Sequence, residues 1–127
     1  MTSLDIITST KEASKSLQRL SDSSRRDILL ELADTIVASS DELIEANAAD
    51  LAAMDKSNPL YGRLMLTEER LKGIAEDMRK VAGLPSPLGR ILDERTLPNG
   101  LELKKISIPF GVIGIIYEAR PNVTFDI

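Results

Sequence analysis

The sequence predicts an α/β fold, and three features of its 127 residues predict it. Apolar residues recur at helical spacing through roughly the first two thirds of the chain. An Asn-Gly pair then sits between two strand-like runs, which is the strongest short-range hairpin signal. After it, Phe110–Tyr117 ("FGVIGIIY") is almost wholly apolar, the pattern of a parallel strand covered on both faces.

The helices come first. In Ser3–Leu20, Ile6, Ala13, Leu17 and Leu20 fall near one face. "SDSS" breaks that pattern, and "SRRD" (Ser24–Asp27) resembles a capping box opening a second helix. Leu29, Leu32, Ala33, Ile36 and Val37 form its stripe. "SSDE" (Ser39–Glu42) repeats the start signal ahead of Leu43, Ile44, Ala48, Leu51 and Met54. One unbroken helix over 24–55 would run ~48 Å at ~1.5 Å per residue. The recurring caps favour two helices meeting at Ser39–Ser40. Asn47 lies beside the apolar stripe, where an inter-helix or backbone hydrogen bond suits it. "KSNPLYG" predicts a loop. Thr67 is placed to cap the next helix, although Arg70 leaves its capping box incomplete. Leu71, Ile74, Ala75, Met78, Val81 and Ala82 carry the apolar face to Gly83, and Pro85 and Pro87 prevent continuation.

The strands follow. "RILDERTL" and "LELKKISI" flank Pro98-Asn99-Gly100, predicting a hairpin closed by a type I′ turn at Asn-Gly. Alternation slips at Lys104-Lys105, which suggests a bulge there. Pro109 ends the ladder, and Phe110–Tyr117 restarts as the buried strand. The organisation expected is a helical segment over 1–90, a projecting β-hairpin over 91–109, and the incomplete start of a dinucleotide-binding domain over 110–127. A parallel strand needs parallel neighbours and none follows, so the chain reads as a piece of something longer.

Composition narrows the function classes. Apolar residues make up 43% and charged residues 28%, with a net charge of −4, a soluble globular balance. Two Phe, two Tyr and no Trp leave an aliphatic core. No basic stripe interleaved with aromatics points to nucleic acid. No apolar run approaches the ~20 residues that span a membrane, and no secretory leader pattern opens the chain. The absence of Cys and His argues against disulfides, a thiolate nucleophile within these residues and a zinc site. A cytoplasmic location is the expectation.

Most chemistry-bearing residues have structural readings. Gly111 and Gly114 do not match a dinucleotide fingerprint and suit close packing of a neighbour instead. The helical acids belong to solvated faces. "EARPN" is the exception, because it follows the carboxyl end of the apolar strand, where open α/β sheets place ligands. Arg120 offers a donor fork for carboxylate or phosphate. Pro121 fixes the turn and restricts Arg120. Asn122 presents a neutral amide able to donate to an oxyanion. From these residues alone, a strand-ending turn and a binding site both remain open.

"SIPFGVIGIIYEARPNVTFD" (Ser107–Asp126), and within it "YEARPNVT", resembles the γ-glutamyl phosphate reductase family of the aldehyde dehydrogenase superfamily. "ANAADLAA" (Ala46–Ala53), "LTEERL" (Leu66–Leu71) and "LPNGL" (Leu97–Leu101) support the resemblance. It implies an aldehyde dehydrogenase-like fold, represented here by the amino-terminal helices, a hairpin used in homo-oligomerisation and the first strand of the cofactor domain. It implies NADP-dependent reduction of glutamate 5-phosphate to the 5-semialdehyde in proline biosynthesis. The reaction passes through a cysteine thioester, with phosphate released. In that reaction Asn122 corresponds to the oxyanion donor and Arg120 to a substrate-binding residue, with cofactor-binding residues unassigned and no metal. The spacing from Gly114 to Asn122 is longer than in the general superfamily pattern, and Gly62 stands where an acidic residue is expected. The alternatives are a non-catalytic helical interaction module and an aldehyde dehydrogenase of other substrate.

Overall fold

A computed structural model of the protein describes residues 2–118 and 120–127. Among these, the elements run α1 (Ser3–Leu17), α2 (Asp22–Ala38), α3 (Ser40–Ala52), α4 (Tyr61–Leu64), α5 (Glu68–Ala82), β1 (Ile91–Thr96), β2 (Glu102–Ile106) and α6 (Val123–Asp126). They fall into two compact units, one of residues 1–22 with 85–114 and one of residues 23–84 with 115–127.

In the first unit, α1 opens on a complete capping box. The Asp5 N–H donates to Thr2 Oγ1 at 3.2 Å, and the Thr2 N–H donates to Asp5 Oδ2 at 2.7 Å. The helix ends at Leu17, short of the expected Leu20, and buries none of its residues. β1 and β2 pair antiparallel, and Lys104 bridges cross-strand to Glu94 at 2.7 Å. The predicted bulge exists but lies on the other strand. Ile91 opposes Ile106 and Asp93 opposes Lys105, leaving Leu92 as the extra residue. The turn also closes one residue earlier than a type I′ turn would. The Gly100 N–H donates to the Leu97 carbonyl at 2.8 Å, with Gly100 at φ 85°. Pro98 explains the shift: its ring presets the first central position of that turn, and Gly100 takes the left-handed position that follows in three-residue hairpin loops. Ser107 extends the pairing beyond β1, donating from its backbone N–H to the Arg90 carbonyl at 3.0 Å and from its hydroxyl to the Pro87 carbonyl.

In the second unit, α2 begins at Asp22, so Ser24 is an interior residue rather than a cap. The break between α2 and α3 falls at Ser39 as expected, but no side chain caps it. Backbone bonds continue through it, Ser39 N–H to Thr35 and Leu43 N–H to the Ser39 carbonyl. Ser40 Oγ turns back to the Val37 carbonyl at 2.8 Å, the local bonding by which serine bends helices. The stretch expected as loop contains the single turn α4, set up by Asn58, whose Oδ1 accepts the Leu60 N–H at 2.9 Å. Thr67 caps α5 through the Arg70 N–H at 3.2 Å. At the far end Arg26 Nε donates to the Ala82 carbonyl at 3.1 Å, placing a cation at a helix C-terminus. Arg79 pairs with Asp34 at 2.6 Å, a second tie from α5 to α2.

Ile36, Leu71 and Ile74 form the buried core, with Leu43, Ile44, Leu66, Met78 and Phe125 packed on it. It is aliphatic apart from Phe125, as the composition requires. Asn47 is also buried, at 6% exposure, and both ends of its carboxamide are engaged. Nδ2 donates to the Leu64 carbonyl at 2.9 Å, and Oδ1 accepts the Leu66 N–H at 2.7 Å.

Phe110–Tyr117 departs most from the sequence reading. No strand forms there among the described residues, and the side chains are exposed, Phe110 at 97%. A strand exists only through the ladder it shares, and no described segment pairs with this one. Pro109 also withholds a donor, and Gly111 sits at φ 90°.

Candidate functional site

The segment after Tyr117 folds back on itself. Tyr117 Oη and Thr124 Oγ1 meet at 2.5 Å across the turn. The Val123 N–H donates to the Arg120 carbonyl at 3.0 Å and the Thr124 N–H to the Pro121 carbonyl at 3.1 Å, and α6 continues from there. Proline fits this position because the start of a helical turn needs no N–H from it. Phe125, one turn further on, packs against the Ile36, Leu71 and Ile74 cluster and so ties the turn to the core. Ala119, inside the "EARPN" motif, lies outside the described residues.

This arrangement brings Arg120 and Asn122 to one cleft of about 440 Å³, whose other lining residues are Gly62, Arg63 and Arg70. Asn122 precedes α6 at φ −57° and ψ −35° but does not cap it with its side chain. Among the described residues its carboxamide has no hydrogen-bond partner, which leaves its donor available to a ligand. Arg70 is fixed: one of its guanidinium nitrogens donates to the Gly62 carbonyl at 2.8 Å and to the Met65 carbonyl at 2.5 Å. Among the described residues, three guanidinium groups, one carboxamide and no carboxylate therefore line the cleft. Such a set suits a carboxylate or phosphate, to which guanidinium donors bind in pairs.

Both site residues expected from the sequence line the same cleft. Arg63 and Arg70 are additions. Arg70 left a trace, standing where a capping box would carry an acid, whereas nothing in "YGRL" marks Arg63. A second, more apolar groove of about 600 Å³ shares Arg70 and Asn122 and is walled by Leu29, Leu32, Ile74 and Phe125. The residues present do not fit a dinucleotide. Gly111 and Gly114 lie in the unpaired segment with open space about them, and among the described residues no βαβ unit surrounds them. Among the described residues no cluster of acids is arranged to hold a metal ion.

No family model matches the chain. It is 62% identical over 115 residues to γ-glutamyl phosphate reductase of Bacteroides thetaiotaomicron, covering 91% of this chain and 28% of that protein. It is 53% identical over 126 residues to that of Chlorobium luteolum, covering 99% and 30%. Among solved structures, γ-glutamyl phosphate reductase of Thermotoga maritima superposes with a TM-score of 0.88 at 29% identity, over 96% of this chain and 30% of that one. The Saccharomyces cerevisiae enzyme gives 0.88 at 30% identity, over 99% and 33%. The chain thus spans under a third of the length of the curated relatives it matches. The aldehyde dehydrogenase-like fold expected from the sequence rests on this likeness. With more than half of its residues identical to theirs along nearly its whole length, and with the fold of the matching part of solved members, the chain is similar to under a third of γ-glutamyl phosphate reductase.

Proposed function

We propose that these residues serve in a reductase that converts L-glutamate 5-phosphate to L-glutamate 5-semialdehyde with NADPH and releases phosphate, in proline biosynthesis. The names of the relatives support this reading, and one observation here carries it: Arg63, Arg70 and Arg120 line a single cleft with Asn122, with no acid among its described lining residues. The substrate is anionic at both ends, and such a cleft suits it. Arg120 binds one of its anionic groups. Asn122 donates to the oxygen that gains charge as the acyl carbon becomes tetrahedral, where a neutral donor stabilises charge without being neutralised by it. The nucleophilic cysteine of a thioester route and the nucleotide site come from outside these residues, whose cysteine count is zero. The 127 residues by themselves therefore have no reductase activity. The exposed hairpin edge serves in pairing between subunits of a homo-oligomer. No helix of the described residues is long and apolar enough to cross a membrane, which suits a cytoplasmic biosynthetic enzyme.

The test is Arg120→Lys in the full reductase. Lysine keeps the charge and loses the two-pronged fork. The KM for glutamate 5-phosphate should rise while that for NADPH holds. A change confined to the NADPH KM would remove Arg120 from substrate binding.

A further inference from the structure

We infer that Arg63 is a second substrate-binding arginine and that it takes the α-carboxylate of the glutamyl chain; the inference rests on the functional reading above. Arg63 lies in α4, and the backbone around it is fixed on both sides. Arg70 holds the Gly62 and Met65 carbonyls at 2.8 and 2.5 Å. Buried Asn47 holds the Leu64 carbonyl and the Leu66 N–H at 2.9 and 2.7 Å. Every residue from 62 to 66 other than Arg63 thus has a backbone group clamped by one of two side chains. The Arg63 side chain has no hydrogen bond or ion pair among the described residues, yet it lines the cleft beside two other arginines. Like charges brought together on a fixed backbone, with no carboxylate among the described residues that line the cleft, are balanced when an anion binds between them.

The chemistry of the substrate divides the two free arginines. The phosphate is attached to the acyl carbon, the reacting centre that Asn122 serves. Arg120 stands two residues from Asn122 on the same turn and is suited to that phosphate. The α-carboxylate lies at the other end of the carbon chain and needs a cation from a different element, which α4 supplies in Arg63. Arg70, with one nitrogen engaged by two carbonyls, is a positioning residue for that element.

The reverse reaction separates the two anions, because the semialdehyde carries the carboxylate and inorganic phosphate is a distinct substrate. In the full reductase, Arg63→Gln should raise the KM for the semialdehyde about tenfold or more, the scale of a lost charge-assisted hydrogen bond, and leave that for phosphate within about twofold. Arg63→Lys should fall between parent and Gln, since charge survives without the fork. Arg63 is exposed, so the unfolding temperature should not change. A rise in the phosphate KM instead, or no change in either KM in a working enzyme, overturns the inference alone. A parent enzyme that fails to reduce NADP⁺ with semialdehyde and phosphate overturns the functional reading, and the inference falls with it.

Discussion

Asn47 and Asn122 carry the same carboxamide to opposite ends. Asn47 is buried and engaged at both its donor and its acceptor by backbone groups 17 and 19 residues away. Asn47→Ala should cost about 1–3 kcal/mol in urea unfolding, because it strands a carbonyl and an N–H that are partly buried. Asn47→Asp should cost a similar amount, since it sets a carboxylate oxygen against the Leu64 carbonyl. A loss below about 0.5 kcal/mol in either variant would show that water replaces the carboxamide. Asn122 has its donor free, and its removal should act on rate instead. Asn122→Ala in the full reductase should lower kcat by about two orders of magnitude with little change in the NADPH KM. A kcat near the parent value would exclude it from the mechanism. Both residues were legible in the sequence, Asn47 from its place beside an apolar stripe and Asn122 from the turn that carries it. Arg63 was not, because its meaning comes from residues distant in sequence: Arg120 and Asn122 line its cleft from a segment that Phe125 ties to the core.

Elements were read best where one local cause decides them. The helical stripes of α3 and α5 are examples, since burial alone selects their faces. The Asn-Gly pattern locates the hairpin turn but implies the wrong closure, because Pro98 competes with Asn99 for the turn position that the pattern gives to Asn99. The bulge sits at Leu92 because register belongs to two strands together, and alternation in one of them shows only that a slip occurs. The α1 helix allows an electrostatic test of its cap. It buries nothing, so its ends matter to it more than packing does. The backbone N–H of Thr2, and then its hydroxyl, hold the Asp5 carboxyl below its ordinary 3.8. A depressed folded value means the cap stabilises fully above about pH 3.8 and is lost as pH falls through the lower folded value. Helicity of residues 3–8, followed by amide exchange, should fall across that acid range, and Asp5→Asn should flatten the dependence. An Asp5→Asn profile identical to the parent would mean the carboxylate does not cap α1.

At the scale of the whole molecule, exposure replaces burial over the segment that reads as most buried. The composition of Phe110–Tyr117 shows that apolar cover is wanted but cannot show where the cover comes from. Phe110 is 97% exposed and Ile116 fully so. At ~25 cal/mol per Å², this surface should draw the 127-residue chain into self-association, seen as dye binding and a mass above monomer in light scattering. A monomer without dye binding at high concentration would show the segment covered from within. The same stretch has a kinetic meaning. Between Ser107 and Arg120 no backbone hydrogen bond ties the described residues into a ladder or helix. A protease needs several residues in extended, unpaired form, and these already supply it. Limited chymotrypsin treatment should therefore cut first after Phe110 or Tyr117, ahead of any site within α2, α3 or α5. The released carboxyl-terminal peptide would carry Arg120 and Asn122 together, with Phe125 as its hold on the core. An anion that bridges the arginines of both pieces should slow its loss, so the cleft's occupancy can be followed from the lifetime of a nick.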